Sequence, residues 1–470
     1  MDRTIRKNAI WLFIGQSVGR TLRTLIIIYS ARILGAASWG AFSYALALAT
    51  FLTVFSDIGV NALLTREATK NPELRSRYIS ASLFVKGALL LGFGAIIILF
   101  GAKLTNIAEV ATLLPYVVFI FVFDALRDMG AAISRALERM EIEGRNNVLT
   151  NALIAALGFA FLIFNPTSGS LMFGYTLGVL LGLLSIAIDL RHHIKGIFTH
   201  FDKGLAIWIL KTAWPFGILS IMSVVMINTD ILMIGWMLDA RDVGLYAAGQ
   251  KIVQLLYMLP TLLATAFFPR LAKLVTDTNQ FRKTFESALT IIFMAALPLS
   301  IGSVLLAGPI IDLVYGAEYL EGATSFLILS STMLIVFPAI LIGNAVFAHN
   351  EQRAFLIYAT AGMVGNIIFN ILFIPILGIV GAAVSTLANQ LIIVGWGWWK
   401  MKRINYFRIL PHMPKILLSS AIMTAGIILM QTFGVHVMVN VVFSAAIYFG
   451  MLYALKERAI HNFIHLKEEL

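Results

Sequence analysis

Two arginines, Arg20 and Arg23, lie within the first long apolar segment of the chain. With Gln16 they are spaced at i, i+4 and i+7, which places the three side chains on one face of a helix. An arginine at the centre of a membrane helix costs about 2.5–3.5 kcal/mol on insertion scales, so a lipid-facing position for both is unfavourable. Guanidinium groups that face a cavity can instead bind phosphate oxygens in a bidentate manner. We therefore expect an anion site at Arg20, Arg23 and Gln16.

Three aspartates within apolar segments are the acidic counterparts of these arginines: Asp57, Asp124 and Asp230. One interpretation is structural, because a salt bridge from Arg20 or Arg23 to one of the aspartates would neutralise both charges. The other is functional. Asp230, deep in the seventh predicted span, would bind a coupling proton or sodium ion, and Asp57 and Asp124 would act as gate charges or as further coupling sites.

Lys251 enters the eighth predicted span from the outer side. Its ammonium group either extends to the lipid headgroups or receives an anion that arrives at the outer face. The adjacent residues His192 and His193 point to different helix faces, and the pair His461 and His465 lies on a terminal basic helix, so we expect no metal site. No nucleophile with an adjacent base, Walker loop or dinucleotide fingerprint appears, and we expect neither enzymatic activity nor a cofactor.

The composition indicates an all-α polytopic membrane protein. Hydrophobic residues make up 59% of the 470 and charged residues only 13%, whereas a soluble domain has about 25% charged residues. Windows of about 20 apolar residues, the length of a membrane helix, recur from end to end. Fourteen spans are predicted, at 9–30, 39–63, 80–101, 110–130, 147–165, 170–190, 212–237, 243–267, 287–308, 323–346, 354–375, 379–399, 416–434 and 436–455.

The basic residues predict the orientation of these spans. If the N-terminus is cytosolic, 29 of the 35 lysines and arginines fall on the cytosolic side, with Lys86 and Arg127 of the third and fourth spans included, and only Arg32, Lys103 and Arg241 fall on outside loops. This bias is the positive-inside rule, and it predicts a multi-pass protein of the cell (inner) membrane with both termini in the cytosol. The net charge of +11 is therefore a topology signal, which favours anionic lipid headgroups over nucleic acid as partners.

The chain also contains an internal repeat. A shift of 204 residues superimposes its second part on its first without a gap, so that Leu34 falls on Leu238 and Gly40 on Gly244. We predict two parallel six-span lobes, 1–200 and 201–410, followed by two additional spans and a cytosolic tail at 411–470. Parallel repeats of this kind are typical of transporters that bind their substrate between the repeats.

Several short stretches resemble a known family of membrane transporters. They are Ala31-Arg32-Ile33-Leu34-Gly35 with Trp39-Gly40, Phe55-Ser56-Asp57-Ile58-Gly59, Val243-Gly244-Leu245-Tyr246-Ala247-Ala248, Phe267-Phe268-Pro269-Arg270, Tyr315-Gly316-Ala317-Glu318-Tyr319, and Leu377-Gly378-Ile379-Val380-Gly381-Ala382-Ala383. In order and spacing the chain resembles the Wzx-type lipid-linked oligosaccharide flippases. That polysaccharide transporter family belongs to the multidrug/oligosaccharidyl-lipid/polysaccharide exporter superfamily.

The resemblance implies twelve to fourteen helices in two lobes around a central cavity. It implies a monomeric flippase that moves a polyprenyl-pyrophosphate-linked oligosaccharide from the cytosolic to the outer leaflet by alternating access, for surface polysaccharides such as O-antigen. Functional arginines on the first helix of the lipid II flippase, another member of the superfamily, favour the same role for Arg20 and Arg23. The alternatives are a cation-coupled multidrug antiporter of the superfamily and a membrane-embedded enzyme of a glycan pathway.

Single cysteines introduced into this cysteine-free chain provide a test of the orientation. Pro72→Cys and Asp277→Cys lie on loops that we predict to face the cytosol. An impermeant thiol reagent added to intact cells should leave both unlabelled, because it cannot cross the membrane. Lys103→Cys, on a predicted outside loop, is the positive control and should be labelled. Labelling at position 72 or 277 from the outside would reverse the predicted orientation.

Overall fold

The computed structural model describes residues 3–100, 103, 105–195 and 201–457, and within these ranges the chain is helical and forms no strand. The histidines His461 and His465 and the predicted cytosolic tail beyond residue 457 lie outside the described residues. A helical architecture is the expected solution for so apolar a sequence, because every backbone N–H and C=O group in hydrocarbon must find its hydrogen-bond partner within the protein.

The described chain divides into two compact units, Met1–Gly244 and Leu245–Leu470. The helices of the first unit are α1 (Arg3–Phe55), α2 (Val60–Lys70), α3 (Arg75–Phe100), α4 (Ala108–Ala136), α5 (Met140–Phe164), α6 (Ser168–Ile194) and α7 (Lys203–Met237). Helix α1 packs against α4, α5 and α7, and α6 packs against α4 and α5. Buried side chains from α2, α3, α4, α5, α6 and α7 form a shared hydrophobic core in this unit.

The second unit contains nine helices in its described part. They are α8 (Ala240–Leu256), whose first turn belongs to the first unit, α9 (Met258–Lys273), α10 (Thr278–Leu305), α11 (Ala307–Tyr315), α12 (Ala323–Ser331), α13 (Met333–Ala348), α14 (Gln352–Ile404), α15 (Pro414–Thr432) and α16 (Val437–Ala454). Helix α13 packs against α9, α10 and α14, and α10, α15 and α16 share an apolar core around Tyr448. The division near residue 200 that the sequence repeat suggests stays a prediction.

Twelve helical segments among the described residues are long and apolar enough to cross a membrane. The prediction of an all-helical polytopic membrane protein is thus confirmed. The count of fourteen differs from this twelve because two of the segments, Gly15–Phe55 and Ile357–Ile404, each overlap two of the predicted spans. In both, the predicted loop is replaced by a single glycine with a positive φ, Gly35 (φ 72°) and Gly378 (φ 60°), and helix continues on either side.

Helix α1 and the start of α8 cross with their backbones in direct contact. A Cβ atom added at Gly40 would collide with the carbonyl oxygen of Ala240, and one added at Gly244 would collide with the carbonyl oxygen of Ala36. Small residues at helix crossings allow this close approach in membrane proteins, where dispersion between tightly packed helices replaces the hydrophobic effect. The contact fixes α1, the helix that holds Arg20 and Arg23, against the start of α8.

Candidate functional site: charged side chains inside the first unit

Arg23 is held by two other helices. It is half-buried on α1, and its Nε donates a hydrogen bond of 2.9 Å to Oδ1 of Asn151 on α5. The carbon of its guanidinium group lies 5.8 Å from the centre of the Tyr175 ring on α6, within the range of a cation–π interaction. Both partners are neutral as they stand, so these two contacts position the guanidinium group without neutralising its charge.

Arg20 and Gln16 lie on the same helix as Arg23, and both side chains are exposed. The backbone oxygen of Arg20 accepts a hydrogen bond from Thr24, but within the described part of the chain its guanidinium group forms no ion pair and no hydrogen bond. Its five N–H donors are therefore available to a ligand. The two predicted arginines thus differ in their contacts, since the guanidinium group of Arg23 is hydrogen-bonded to another helix and that of Arg20 is not.

Asp57 forms an ion pair with a lysine inside the apolar part of α3. Lys86 has only 1% of its side chain exposed, and its Nζ lies 3.0 Å from Oδ1 of Asp57. Asp57 occupies the break between α1 and α2, where Ile58 and Gly59 both have positive φ values, and it also accepts a hydrogen bond from the backbone N–H of Asn61. The positive-inside rule predicts Lys86 on the cytosolic side, and the structure buries it in the protein interior as the counter-ion of Asp57.

Asp124 forms an ion pair within α4. Arg127 donates to Oδ1 of Asp124 from Nε (3.1 Å) and from Nη2 (2.9 Å), and its Nη2 lies 3.5 Å from Asp128. Asp128 also interacts electrostatically with Lys86 and with Asp57. Asp128 thus connects the charged side chains of α4 with the Asp57–Lys86 pair.

The ion pairs of Asp57 and Asp124 test the interpretation that Arg20 or Arg23 forms a salt bridge with one of the aspartates. Asp57 and Asp124 contact Lys86 and Arg127, whereas Arg23 contacts an amide oxygen. A salt bridge from Arg23 to either of these aspartates is therefore not what the structure contains. Asn151 and Tyr175, which the sequence analysis did not select, are the groups that hold Arg23. The only local signal was a polar amide inside a predicted apolar span, and nothing in the sequence pairs it with a residue 128 positions away.

Asp230 and Lys251, the remaining predicted site residues, lie on α7 and α8. Asp230 is buried near the end of α7, directly after the buried residues Asn228 and Thr229. Lys251 is half-buried on α8 in the second unit, where its Nζ lies 3.5 Å from Oε1 of Gln254 on the same helix. The roles proposed for Asp230 and Lys251 stay predictions.

The sequence signature of a family described as polysaccharide biosynthesis protein matches residues 5–275, more than half of the chain. The chain belongs to this family. A putative O-antigen transporter of Shigella flexneri is a similar protein, 24% identical over 404 residues that cover 81% of this chain and 94% of the transporter. The matched region includes residues 5–244 of the first unit and therefore Arg20, Arg23 and their partners.

Solved structures of other membrane transporters superimpose on this chain. A lipid II flippase in an inward closed conformation superimposes with a TM-score of 0.76 and 20% identity, over 96% of this chain and all of the flippase. An inward-facing multidrug transporter of the MATE family and MOP superfamily superimposes with a TM-score of 0.66 and 15% identity, over 84% of this chain and 98% of the transporter. At these identities the similarity shows a shared fold.

The buried Lys86–Asp57 pair predicts a specific pattern of stability. Lys86→Met leaves the Asp57 carboxylate largely buried without its counter-ion and should lower the free energy of unfolding by about 3–5 kcal/mol. The double variant Asp57→Asn/Lys86→Met removes both charges and should recover most of that loss. Thermal unfolding of the detergent-purified protein measures the differences.

The control is Arg66→Met, which breaks an ion pair with Glu67 at an arginine that is 42% exposed. Exposed pairs contribute at most about 1 kcal/mol, so this variant should unfold close to the wild-type temperature. If Lys86→Met were as stable as Arg66→Met, the Lys86–Asp57 pair would not contribute to stability in the way its burial predicts.

Proposed function

We propose that this protein is a flippase that moves a polyprenyl-pyrophosphate-linked oligosaccharide from the cytosolic to the outer leaflet of the cell (inner) membrane, for surface polysaccharide biosynthesis. The observation that carries the proposal is the pair Arg20 and Arg23 on a membrane-spanning helix of a member of the polysaccharide biosynthesis protein family. Arg20 is exposed and Arg23 contacts a neutral amide, so neither charge is consumed by a contacting carboxylate. Both can therefore bind the pyrophosphate group.

The proposed architecture has fourteen spans, in two six-span lobes, 1–200 and 201–410, around a central cavity, with two further spans at 411–470. The lengths of α1 and α14 support this count. Each has 53 residues and would be about 80 Å long as a straight helix, whereas the hydrocarbon core of a bilayer is about 30 Å thick. A helix of that length that is broken at one glycine can cross twice. Both termini are then cytosolic, and the monomer contains the complete pathway.

The charge of the candidate site favours this function over the alternatives. A multidrug antiporter of the same fold that transports cations would gain nothing from two arginines in its pathway. An embedded glycan-pathway enzyme would need a nucleophile with its base, or a cluster of catalytic carboxylates at one interface. In the described residues the intramembrane carboxylates Asp57 and Asp124 are each engaged by a cation instead. The fold alone does not separate the two kinds of transporter, because structures of both superimpose on the chain.

The membrane potential can drive much of this transport. A pyrophosphate diester has about two negative charges, and the cytosolic side of the membrane is electrically negative. Outward movement of the anion therefore runs down the field and gains about 2.3 kcal/mol per charge per 100 mV. A proton or sodium ion that binds at Asp230 would then serve mainly to reset the empty carrier. Lys251, which we place towards the outer side, would receive the anion there before its release.

The anion site can be tested with substitutions of the two arginines. Arg20→Ala and Arg23→Ala should each reduce glycan export at least tenfold with normal membrane insertion, because each removes a donor to phosphate. Lysine at either position should restore export only in part, since it keeps the charge but lacks the planar fork of donors. Export is measured as surface polysaccharide in cells and as lipid-linked glycan flipped in proteoliposomes.

Arg32→Ala is the matched control, because Arg32 is an exposed arginine on the same helix but outside the proposed site. It should export at a rate close to that of the wild type. If Arg20→Ala and Arg23→Ala both exported at the wild-type rate with normal expression, the proposed phosphate contact would be excluded.

Coupling at Asp230 predicts a different outcome for the isosteric substitution Asp230→Asn. The variant should turn over more slowly and depend less on an imposed proton or sodium gradient, while its affinity for the substrate is largely retained. Transport in proteoliposomes, with the membrane potential and the ion gradients imposed separately, gives both quantities. An Asp230→Asn protein that retains its full gradient dependence would place the coupling site elsewhere, with Asp57 and Asp124 as the next candidates.

A further inference from the structure

The hydrogen bond between Arg23 and Asn151 uses one specific edge of the guanidinium group. A guanidinium group has one N–H at Nε and four at its two terminal nitrogens, all in one plane. Asn151 accepts from Nε, so the two terminal nitrogens remain free of that contact. They form the end-on fork that matches two oxygens of a phosphate group. Asn151 thus holds Arg23 through Nε, and the two terminal nitrogens, which would bind the phosphate, are not used by this contact.

The orientation of the Asn151 side chain is itself fixed. Its Nδ2 donates to the backbone oxygen of Asn147 at 2.7 Å and to Oδ1 of Asn147 at 3.1 Å. Asn151 is 4% exposed. Because both donor contacts are on the nitrogen, the amide oxygen is the atom that faces Arg23. The network is a chain from the backbone of α5 through Asn147 and Asn151 to the guanidinium group on α1.

A glycine on α1 makes this approach of the two helices feasible. A Cβ atom at Gly19 would lie 2.8 Å from Nδ2 of Asn151, closer than a carbon and an amide nitrogen normally approach. Gly19 directly precedes Arg20 in the sequence. The absence of a side chain at Gly19 therefore allows the α5 amide to pack beside the arginine-bearing face of α1.

The chemical identity of the acceptor is the central feature. A carboxylate at position 151 would hold Arg23 equally well, but it would also neutralise the positive charge that attracts an anion. An amide holds the guanidinium group and leaves its charge in place. In a region of low dielectric constant this difference is large, because electrostatic interactions there are weakly screened.

We propose that Asn151 is a positioning residue for phosphate recognition. It fixes the guanidinium group of Arg23 through a hydrogen bond to a neutral amide oxygen, so that the terminal nitrogens face one phosphate of a polyprenyl pyrophosphate with the positive charge uncompensated. Arg20, which has no such anchor, closes on the second phosphate after the first is bound. This inference rests on the proposed function, and it assigns to the two arginines unequal roles in binding.

Two substitutions at position 151 separate charge from position. Asn151→Asp keeps the acceptor but adds a negative charge beside Arg23, and Asn151→Leu keeps the volume and the charge of Arg23 but removes the acceptor. The probe is polyprenyl pyrophosphate in detergent micelles, with the purified full-length protein, and the measured quantity is its dissociation constant. We expect Asn151→Asp to weaken binding at least tenfold without loss of thermal stability, and Asn151→Leu to weaken it three- to tenfold.

Asn146→Leu is the matched control. Asn146 is also a buried asparagine on α5, and its Nδ2 donates a hydrogen bond of 2.7 Å to the carbonyl oxygen of Gly182 on α6. Its substitution should lower the unfolding temperature but leave the dissociation constant for pyrophosphate unchanged. A purely structural role for Asn151 predicts the same behaviour at position 151, with lower stability and unchanged affinity in Asn151→Leu.

The outcomes distinguish this inference from the proposed function. If Arg23→Ala loses the probe but Asn151→Asp and Asn151→Leu bind it as the wild type does, the positioning role is wrong and the proposed function stands. If Arg20→Ala and Arg23→Ala both retain wild-type binding and transport, the proposed anion site itself is wrong. Should Asn151→Asp fail to fold, Asn151→Leu decides alone, and a wild-type dissociation constant for it overturns the inference.

Discussion

Hydrocarbon offers neither hydrogen-bond partners nor counter-ions, and the structure of this chain depends on that constraint. For the backbone the consequence is the helical architecture of the described residues, in which the chain supplies its own acceptors. For ionisable side chains the consequence is a choice of partner. Lys86 and Arg127 contact carboxylates, whose negative charge compensates theirs, whereas Arg23 contacts an amide and an aromatic ring, which have no net charge. This difference between partners distinguishes structural charges from a candidate binding charge.

The sequence predicts the helices well because hydrophobic length is a local property. The predicted spans 110–130 and 170–190 lie within α4 and α6. At Gly35 the prediction of a loop was wrong, because one residue with a positive φ is enough to redirect a helix and leaves helical hydrogen bonding on both sides. Composition cannot distinguish that single-residue break from a short loop, since glycine is compatible with both.

The site was predictable in part, and the limit is again physical. Helical spacing placed Arg20 and Arg23 on one face, and their cost in lipid identified them as informative. The partners of charged residues are long-range contacts. Lys86 lies 29 residues from Asp57, and nothing local in the sequence pairs the two. Its positive charge therefore predicted a cytosolic position, although the side chain is buried. Asn151 could not be predicted for the same reason, because its amide oxygen accepts a hydrogen bond from Arg23, which lies 128 residues away in the sequence.

The crossing of α1 with the start of α8 has an implication for the origin of the fold. Gly40 contacts Ala240, and Gly244 contacts Ala36. In the predicted repeat, a shift of 204 residues relates Gly40 to Gly244 and Ala36 to Ala240. The same pair of positions, the glycine of one repeat and the alanine of the other, is therefore in contact twice. A contact that is repeated in this reciprocal way is called isologous, and it is the kind formed across a twofold axis. Two identical half-length chains would form the same contact as a symmetric homodimer. A fused descendant of such a dimer can then let its halves diverge, so that one copy of the first helix acquires paired arginines and the other an aspartate.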